Sequence, residues 1–474
     1  MKIPGKYTTR MNSNLDAGTN SSASPWETLE RIFRGRAWRN GQADYEQKRR
    51  DCCWNRRNFS RFPHYIVRAH SADDVVTAVN FAREHDLPIS LRSGGHSFSG
   101  SFLRDSGILL DMSALRTLEV DPNRQRAIVG PGVTSLELSR ALARYGLAFP
   151  TGHSGTVGLG GFLLGGGLGI NFGDWGPMSA FQITALDLVT PDGRLLHASA
   201  EEHSDLFWAA RGGGPCLFFA AVSFELNCPA LPGTITARSL RLPLERLADA
   251  LRAITESPPS RRLQVMLAIV PAEHADSSRS PHEVAITTLA FAEDAAAATA
   301  LHTPAITLLR RWASAEPSEE QATGFDALHQ HGDAVFSADR YAADNILTDR
   351  PEEAARILIS HLARLPSPAT LPLLIWRGTP TLPAAAYSAQ GQWYFSTYAR
   401  WSGAGDDNDN LSWLRELYDE LKPIAAQCYI NEFDLEHRSH EVSRCFSPSS
   451  WRRLQELKQR YDPQGVFQGL PLDG

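Results

Sequence analysis

Cysteine is scarce in this chain, with six residues in 474. That is too few for a disulfide framework, and none stands at a zinc-ligand spacing with histidine, so no metal site is expected. A run of 18 apolar residues is also missing, which leaves no candidate for a membrane-spanning helix. The first residues are polar and lack the apolar stretch of a secretory signal, so a cytoplasmic protein with reduced thiols is expected. Basic blocks are absent as well: Lys and Arg number 47 against 53 Asp and Glu, a net charge of −6. That balance argues against nucleic acid or an anionic membrane as the main partner. No internal repeat is present, and nothing in the chain sets an oligomeric state.

What is present is apolar residue and glycine. Hydrophobic residues make up 42% of the chain, enough for extended cores, and its length suggests two domains. Residues 1–24 are rich in Ser, Asn, Thr and Gly and are expected to be disordered. Ser71 opens a helix whose buried side is Val75, Val76, Val79 and Phe81. Strands follow at Ile89–Arg92, Ile108–Asp111 and 127–129. Thr134-Ser135-Leu136-Glu137 reads as a capping box. Segments 185–190 and 195–198 flank Pro191-Asp192-Gly193, a hairpin signal. Beyond the prolines near 229–232, strands at 263–270, 284–291, 371–376 and 393–401 alternate with Ala/Leu-rich helices around 292–310 and 351–364. This predicts a second domain, a sheet with helices on one side. Residues 403–410 read as an exposed acidic loop, and the chain closes with a helix from Pro448.

Two segments carry the chemistry. Arg92-Ser93-Gly94-Gly95-His96-Ser97 places a histidine beside a Gly-Gly turn. Sixty residues on, Gly155–Gly169 holds eight glycines in fifteen residues. Missing Cβ atoms let backbone N–H groups approach a bulky ligand closely. The two segments read as walls of a site for a large, phosphate-bearing cofactor, with His96 aimed into it.

These motifs, in this order, resemble the FAD-linked oxidases of the berberine bridge enzyme-like group, within the vanillyl-alcohol oxidase (PCMH-type FAD) superfamily. Trp54-Asn55, the segment Asp205 to Gly214, Tyr429-Ile430-Asn431-Glu432 and Tyr461-Asp462-Pro463-Gln464-Gly465-Val466-Phe467 agree with it. The resemblance spans about residues 50–470. It implies an α+β, two-domain PCMH-type FAD-binding fold, with an antiparallel-sheet substrate domain backed by helices. The implied division is 25–235 for FAD binding, 236–424 for substrate, and 425–474 as a C-terminal return to the FAD domain.

The resemblance also implies the site residues. FAD is expected against Arg92, Ser93, Gly94, Gly95, His96, Ser97, Ser154, Gly155, Thr156, Val157, Gly158, Gly160, Gly161, Gly165, Gly166 and Asn431. His96 stands where the family bonds the flavin. A second family bond uses a cysteine, but this chain has Ser154 there, so covalent attachment through His96 only is expected. Val157 falls where relatives gate oxygen. Gly214-Pro215-Cys216-Leu217-Phe218-Phe219 departs from the family's glycine-rich segment, and Phe181 replaces a usual Asp or Asn.

In the strand 393–401, alternation puts Tyr394, Ser396, Tyr398 and Arg400 on one face. Tyr429 and Asn431 share a face of a C-terminal strand. Tyr398 is the first candidate base, as a tyrosinate favoured by Arg400, with Ser396 beside it. Tyr429 is second; His153, Glu432 and Trp376 rank below. The implied activity is hydride transfer from a small organic substrate, a specialised metabolite, to FAD, with O2 as acceptor and hydrogen peroxide as product. A carbohydrate oxidase stays open as an alternative, as does a non-redox cyclase or flavin-binding remnant on the same fold.

Overall fold

The computed structural model describes residues 24–272, 280–336 and 339–470. Ser24 caps the first helix, Pro25–Ile32; the remainder of the expected disordered segment lies outside the described residues. Three sheets organise the described residues. A four-stranded sheet runs Ala37–Arg39, Tyr65–Arg68, Ile108–Asp111, Ile89–Arg92, its last three strands parallel. The helix Ala72–Glu84 packs on it through Val75, Ala78, Val79, Phe81 and Ala82; Val76 is only half-buried. A five-stranded antiparallel sheet contains the expected hairpin, Ile183–Val189 with Leu195–Ser199.

The third sheet is antiparallel and seven-stranded. Its order is Gln321–Thr323, Thr234–Pro243, His282–Ala292, Leu263–Pro271, Leu371–Trp376, Trp393–Trp401, Arg340–Thr348. Helices Leu247–Glu256, Ala295–Arg310, Pro351–Leu362 and Asp407–Leu421 join one extended core with the sheet. The chain then returns: Ile89 N–H donates to Val466 O and Gln468 N–H to Ile89 O, both at 2.7 Å. The C-terminus thus extends the edge of the first sheet.

Two expectations need correction. The acidic segment is no loop: after a short turn at Ala404–Asp406, Asp407 opens the helix Asp407–Leu421. Asp407 and Asp409 suit a helix N-terminus, and Trp413, Leu414, Leu417 and Leu421 form its buried stripe. Nor does Tyr429 lie in a strand; a short 3₁₀ turn covers Ile430–Glu432. The Asn345 side chain replaces a neighbouring strand. Its Oδ1 accepts from Tyr429 N–H at 2.7 Å and its Nδ2 donates to Tyr429 O at 2.9 Å. No described helix is long and apolar enough to cross a membrane.

Candidate active site

The two glycine segments meet. A Cβ on Gly94 would stand 2.6 Å from Gly158 N, so neither position tolerates a side chain. The 155–158 loop is pinned to the N-terminus of helix Ser135–Ala143. Leu136 N–H donates to Gly155 O and Ser135 N–H to Val157 O, while Thr134 and Glu137 form the expected capping box. Together these segments wall a cavity of about 630 Å³. Arg92, Ser93, Gly94, Gly95, His96, Ser97, Ser154, Val157, Gly158, Gly160, Gly161, Asn431, Tyr398 and Tyr429 all line it.

Gly155, Thr156, Gly165, Gly166, Ser396 and Arg400 do not line the cavity. Gly155 packs against Leu136, His329 and Asp333; Thr156 bonds Ser154; Gly165 leaves room for the Asn431 amide; Gly166 turns at φ +109° beside Tyr387. Pro215, Leu217 and Phe219, the segment that departs from the family, do line it.

His96 stacks on Trp54 at 4.8 Å between ring centroids. Burial, with Arg92 nearby, pushes its pKa down to about 4, so the imidazole is neutral with an available nitrogen lone pair. Ser154 donates to Asp333 Oδ1 at 2.6 Å, and Gly155 N–H donates to the same oxygen at 2.9 Å. His153 is also neutral, pushed down to about 4 by burial. Gln264 Oε1 accepts from Asn171 N–H, which turns Gln264 Nε2 to donate to His153 Nε2 at 3.0 Å.

The other end of the cavity is built around Glu432. Tyr394 and Tyr398 donate their hydroxyls to its Oε2, the latter at 2.7 Å, and Ser396 Oγ donates to the same atom at 2.9 Å. Strand alternation delivers all three, as expected, but onto a carboxylate. Oε1 carries no bond among the described residues. Burial outweighs the three donors and raises the Glu432 pKa. Tyr398 moves in the direction opposite to expectation. Burial and the Glu432 charge push its pKa well above the usual value, and Arg400 turns away to Asp339 at 3.2 Å. A tyrosinate at Tyr398 is therefore disfavoured. Tyr429 accepts from Gly167 N–H, Leu168 N–H and Asn431 Nδ2 at 3.0–3.2 Å, yet burial raises it too.

FAD fits these residues. Arg104 lines the cavity with its Nε and Nη2 buried and without partners among the described residues, a guanidinium left for an anionic group. Gly161 lines the same space with nothing within 4 Å of where its Cβ would stand. Nothing in the local sequence marks Arg104 or Asp333 in advance, because their surroundings come from distant segments. A more open depression of about 840 Å³ beside Trp208 and Arg453 includes none of the two glycine segments.

Residues 63–199 match the family of FAD binding domains. The chain is 28% identical to the FAD-linked oxidoreductase nodO of Hypoxylon pulicicidum over 450 residues, 90% of this chain and 95% of that protein. It is 37% identical to the (R)-6-hydroxynicotine oxidase of Paenarthrobacter nicotinovorans over 184 residues, 39% of this chain and 40% of that one. The solved structure of Physcomitrella patens BBE-like 1 superposes with a TM-score of 0.79 at 20% identity, covering 94% of this chain and 99% of its own. That likeness establishes the PCMH-type FAD-binding fold.

Proposed function

We propose that this FAD-dependent oxidoreductase, built on the berberine bridge enzyme-like plan, is an oxidase with its flavin bonded through His96 alone and Glu432 as its proton acceptor. The observation that carries the reading is the convergence of three hydroxyl donors on one buried carboxylate, in the same cavity as His96 and the glycine walls. When bound, FAD supplies the two-electron acceptor, and its reoxidation by O2 yields hydrogen peroxide. The substrate is a small organic molecule with a C–H bond next to an O–H or N–H.

The chain's own residues handle the proton. Tyr394, Ser396 and Tyr398 fix the carboxylate by holding Oε2, which leaves Oε1 for the substrate O–H or N–H. The raised pKa makes Glu432 a stronger base than an exposed carboxylate. Loss of the substrate proton to Oε1 leaves an electron-rich oxygen or nitrogen, from which the adjacent carbon releases hydride. Neutral His96 supplies the nitrogen for covalent attachment. Ser154 cannot form the thioether that a cysteine would make, so a single bond is proposed.

Rapid mixing under anaerobic conditions tests the assignment. Glu432→Gln should keep its flavin and slow flavin reduction by about 10²–10⁴-fold. In the parent protein the reduction rate should fall as pH drops through the raised Glu432 pKa, because the protonated carboxyl cannot accept. Glu432→Gln should lose that limb. Tyr398→Phe removes one donor to the carboxylate, so it should move the limb to higher pH at modest cost in rate. Wild-type reduction by Glu432→Gln, with a large loss in Tyr429→Phe, would transfer the role to Tyr429. Peroxide equal to substrate consumed is the expected aerobic result.

A further inference from the structure

The face of the seven-stranded sheet that looks into the cavity has a pattern unlike a sugar-binding wall. Its side chains stand in rows across the strands, set by the register. One row runs Thr287, Met266, Ile375, Tyr394. The next runs Ala285, Ala268, Leu373, Ser396, with Glu432 seated on Ser396. On the far side Leu371 pairs with Tyr398, and Val270 lies two residues along the strand from Ala268. All members except Ser396 line the cavity. Rows two residues apart are about 6.6 Å from each other, and neighbouring strands about 4.8 Å.

The middle row is therefore a trough. Beyond Leu373, Ala268 and Ala285 form its floor and taller side chains stand on both sides. The Glu432 carboxylate marks its near end, and the Arg241–Glu283 ion pair, in register with Ala285 and Val270, its far end. From the Trp393–Trp401 strand to the His282–Ala292 strand is three strand steps, about 14 Å. Over the three strands beyond Tyr394, Ser396 and Tyr398, Thr287 supplies the only side-chain hydroxyl of these rows. Phe98 and Phe336 pack on Tyr398 at 5.6 and 4.9 Å between centroids, adding aromatic wall at the reactive end. A di- or trisaccharide laid in the trough would set most of its hydroxyls against Leu373, Ala268, Met266 and Val270, whose side chains offer no hydrogen-bond donor and little acceptor strength, which is costly.

Resting on the oxidase reading above, we infer that the substrate is an amphipathic molecule with one oxidisable alcohol or amine end and an elongated apolar body lying along the Leu373–Ala268–Ala285 trough. The hydroxyl or amine meets Glu432 and the body excludes water from the trough. Specificity then comes from the length of apolar surface as well as from the reacting group.

The test uses the flavin-loaded protein and a homologous probe series: benzyl alcohol and its 4-ethyl, 4-butyl and 4-hexyl derivatives, with xylobiose and cellobiose as sugar probes. Binding is read anaerobically from perturbation of the flavin absorption bands. Affinity should rise about fourfold per added methylene until the trough is filled. The sugars should give no saturable change in the same millimolar range. Ala268→Phe should remove the gain from the longer tails while leaving flavin content and benzyl alcohol binding in place. Ala285→Leu, a smaller change farther from Glu432, should cut only the hexyl probe. Affinity independent of tail length, or tighter binding of xylobiose than of 4-hexylbenzyl alcohol, overturns the inference. Bleaching is scored separately. A tail-length ladder without bleaching by any probe supports the trough and counts against the redox reading; bleaching by a sugar without a ladder does the reverse.

Discussion

The chemistry of single residues here is set by burial more than by identity. His96 and His153 are both pushed down to about 4 because a charged imidazole is poorly solvated in the cavity wall. A histidine lowered from 6.5 contributes stability that is full above about pH 6.5 and is lost as pH falls toward 4. The flavin-free protein should therefore melt at progressively lower temperature between those values. His153→Asn should flatten that dependence, because asparagine still meets Gln264 but does not titrate. Parallel pH profiles for the variant and the parent would show that His153 is not a source. The sequence alone placed His96, since its glycine neighbours are local. It ranked Tyr398 above Glu432 because alternation reveals which face a side chain takes and not what it meets there. Glu432 follows Asn431 directly in the chain, yet its three donors lie 34 to 38 residues earlier.

At the scale of elements, strands and helices with strong local patterns were readable. Leu371–Trp376 and Trp393–Trp401 match their expected limits, and the capping box at Thr134 starts its helix as the sequence signals. The two misreadings have physical causes. Asp406, Asp407 and Asp409 look solvated in isolation but also complement a helix N-terminus. The strand at Tyr429 is what the resemblance implies, and the sequence does not show that the Asn345 side chain meets the Tyr429 backbone where a neighbouring strand would. That substitution matters to function, as the same turn carries Asn431 and Glu432. Asn345→Leu would leave the buried N–H of Tyr429 unpaired, at about 1–3 kcal/mol, and leave its C=O only the Glu432 N–H at 3.3 Å. A fall in melting temperature of several degrees is expected, with slower flavin reduction in the fraction that remains folded. An Asn345→Leu protein that melts and reduces like the parent would show that packing alone holds the turn.

Across the whole molecule, the segment that presents His96 depends on the last residues of the chain. Ile89–Arg92 leads directly into Ser93–His96, and its outer edge is closed by backbone bonds to Val466 and Gln468. Asp462 caps this return by accepting from Val466 N–H at 2.7 Å and Phe467 N–H at 3.0 Å. Phe467 is 2% exposed and packs in the core with Ile89, Ile108 and the Ala72–Glu84 helix. The closing Tyr461 to Phe467 motif was legible in the sequence, but its pairing with a strand nearly 380 residues earlier was not, since no local pattern encodes a partner. The arrangement couples stability to cofactor loading. Phe467→Ala should cost about 3–5 kcal/mol through the lost contacts and the residual cavity. It should also loosen the edge that positions Arg92 and His96, so the share of flavin that stays with acid-precipitated protein should fall along with the melting temperature. Phe218→Leu, a milder change in a different core, serves as the comparison: it should lower stability without the same loss of bound flavin. If Phe467→Ala is destabilised to the stated extent yet carries its full complement of acid-stable flavin, the C-terminal return holds the fold and not the site.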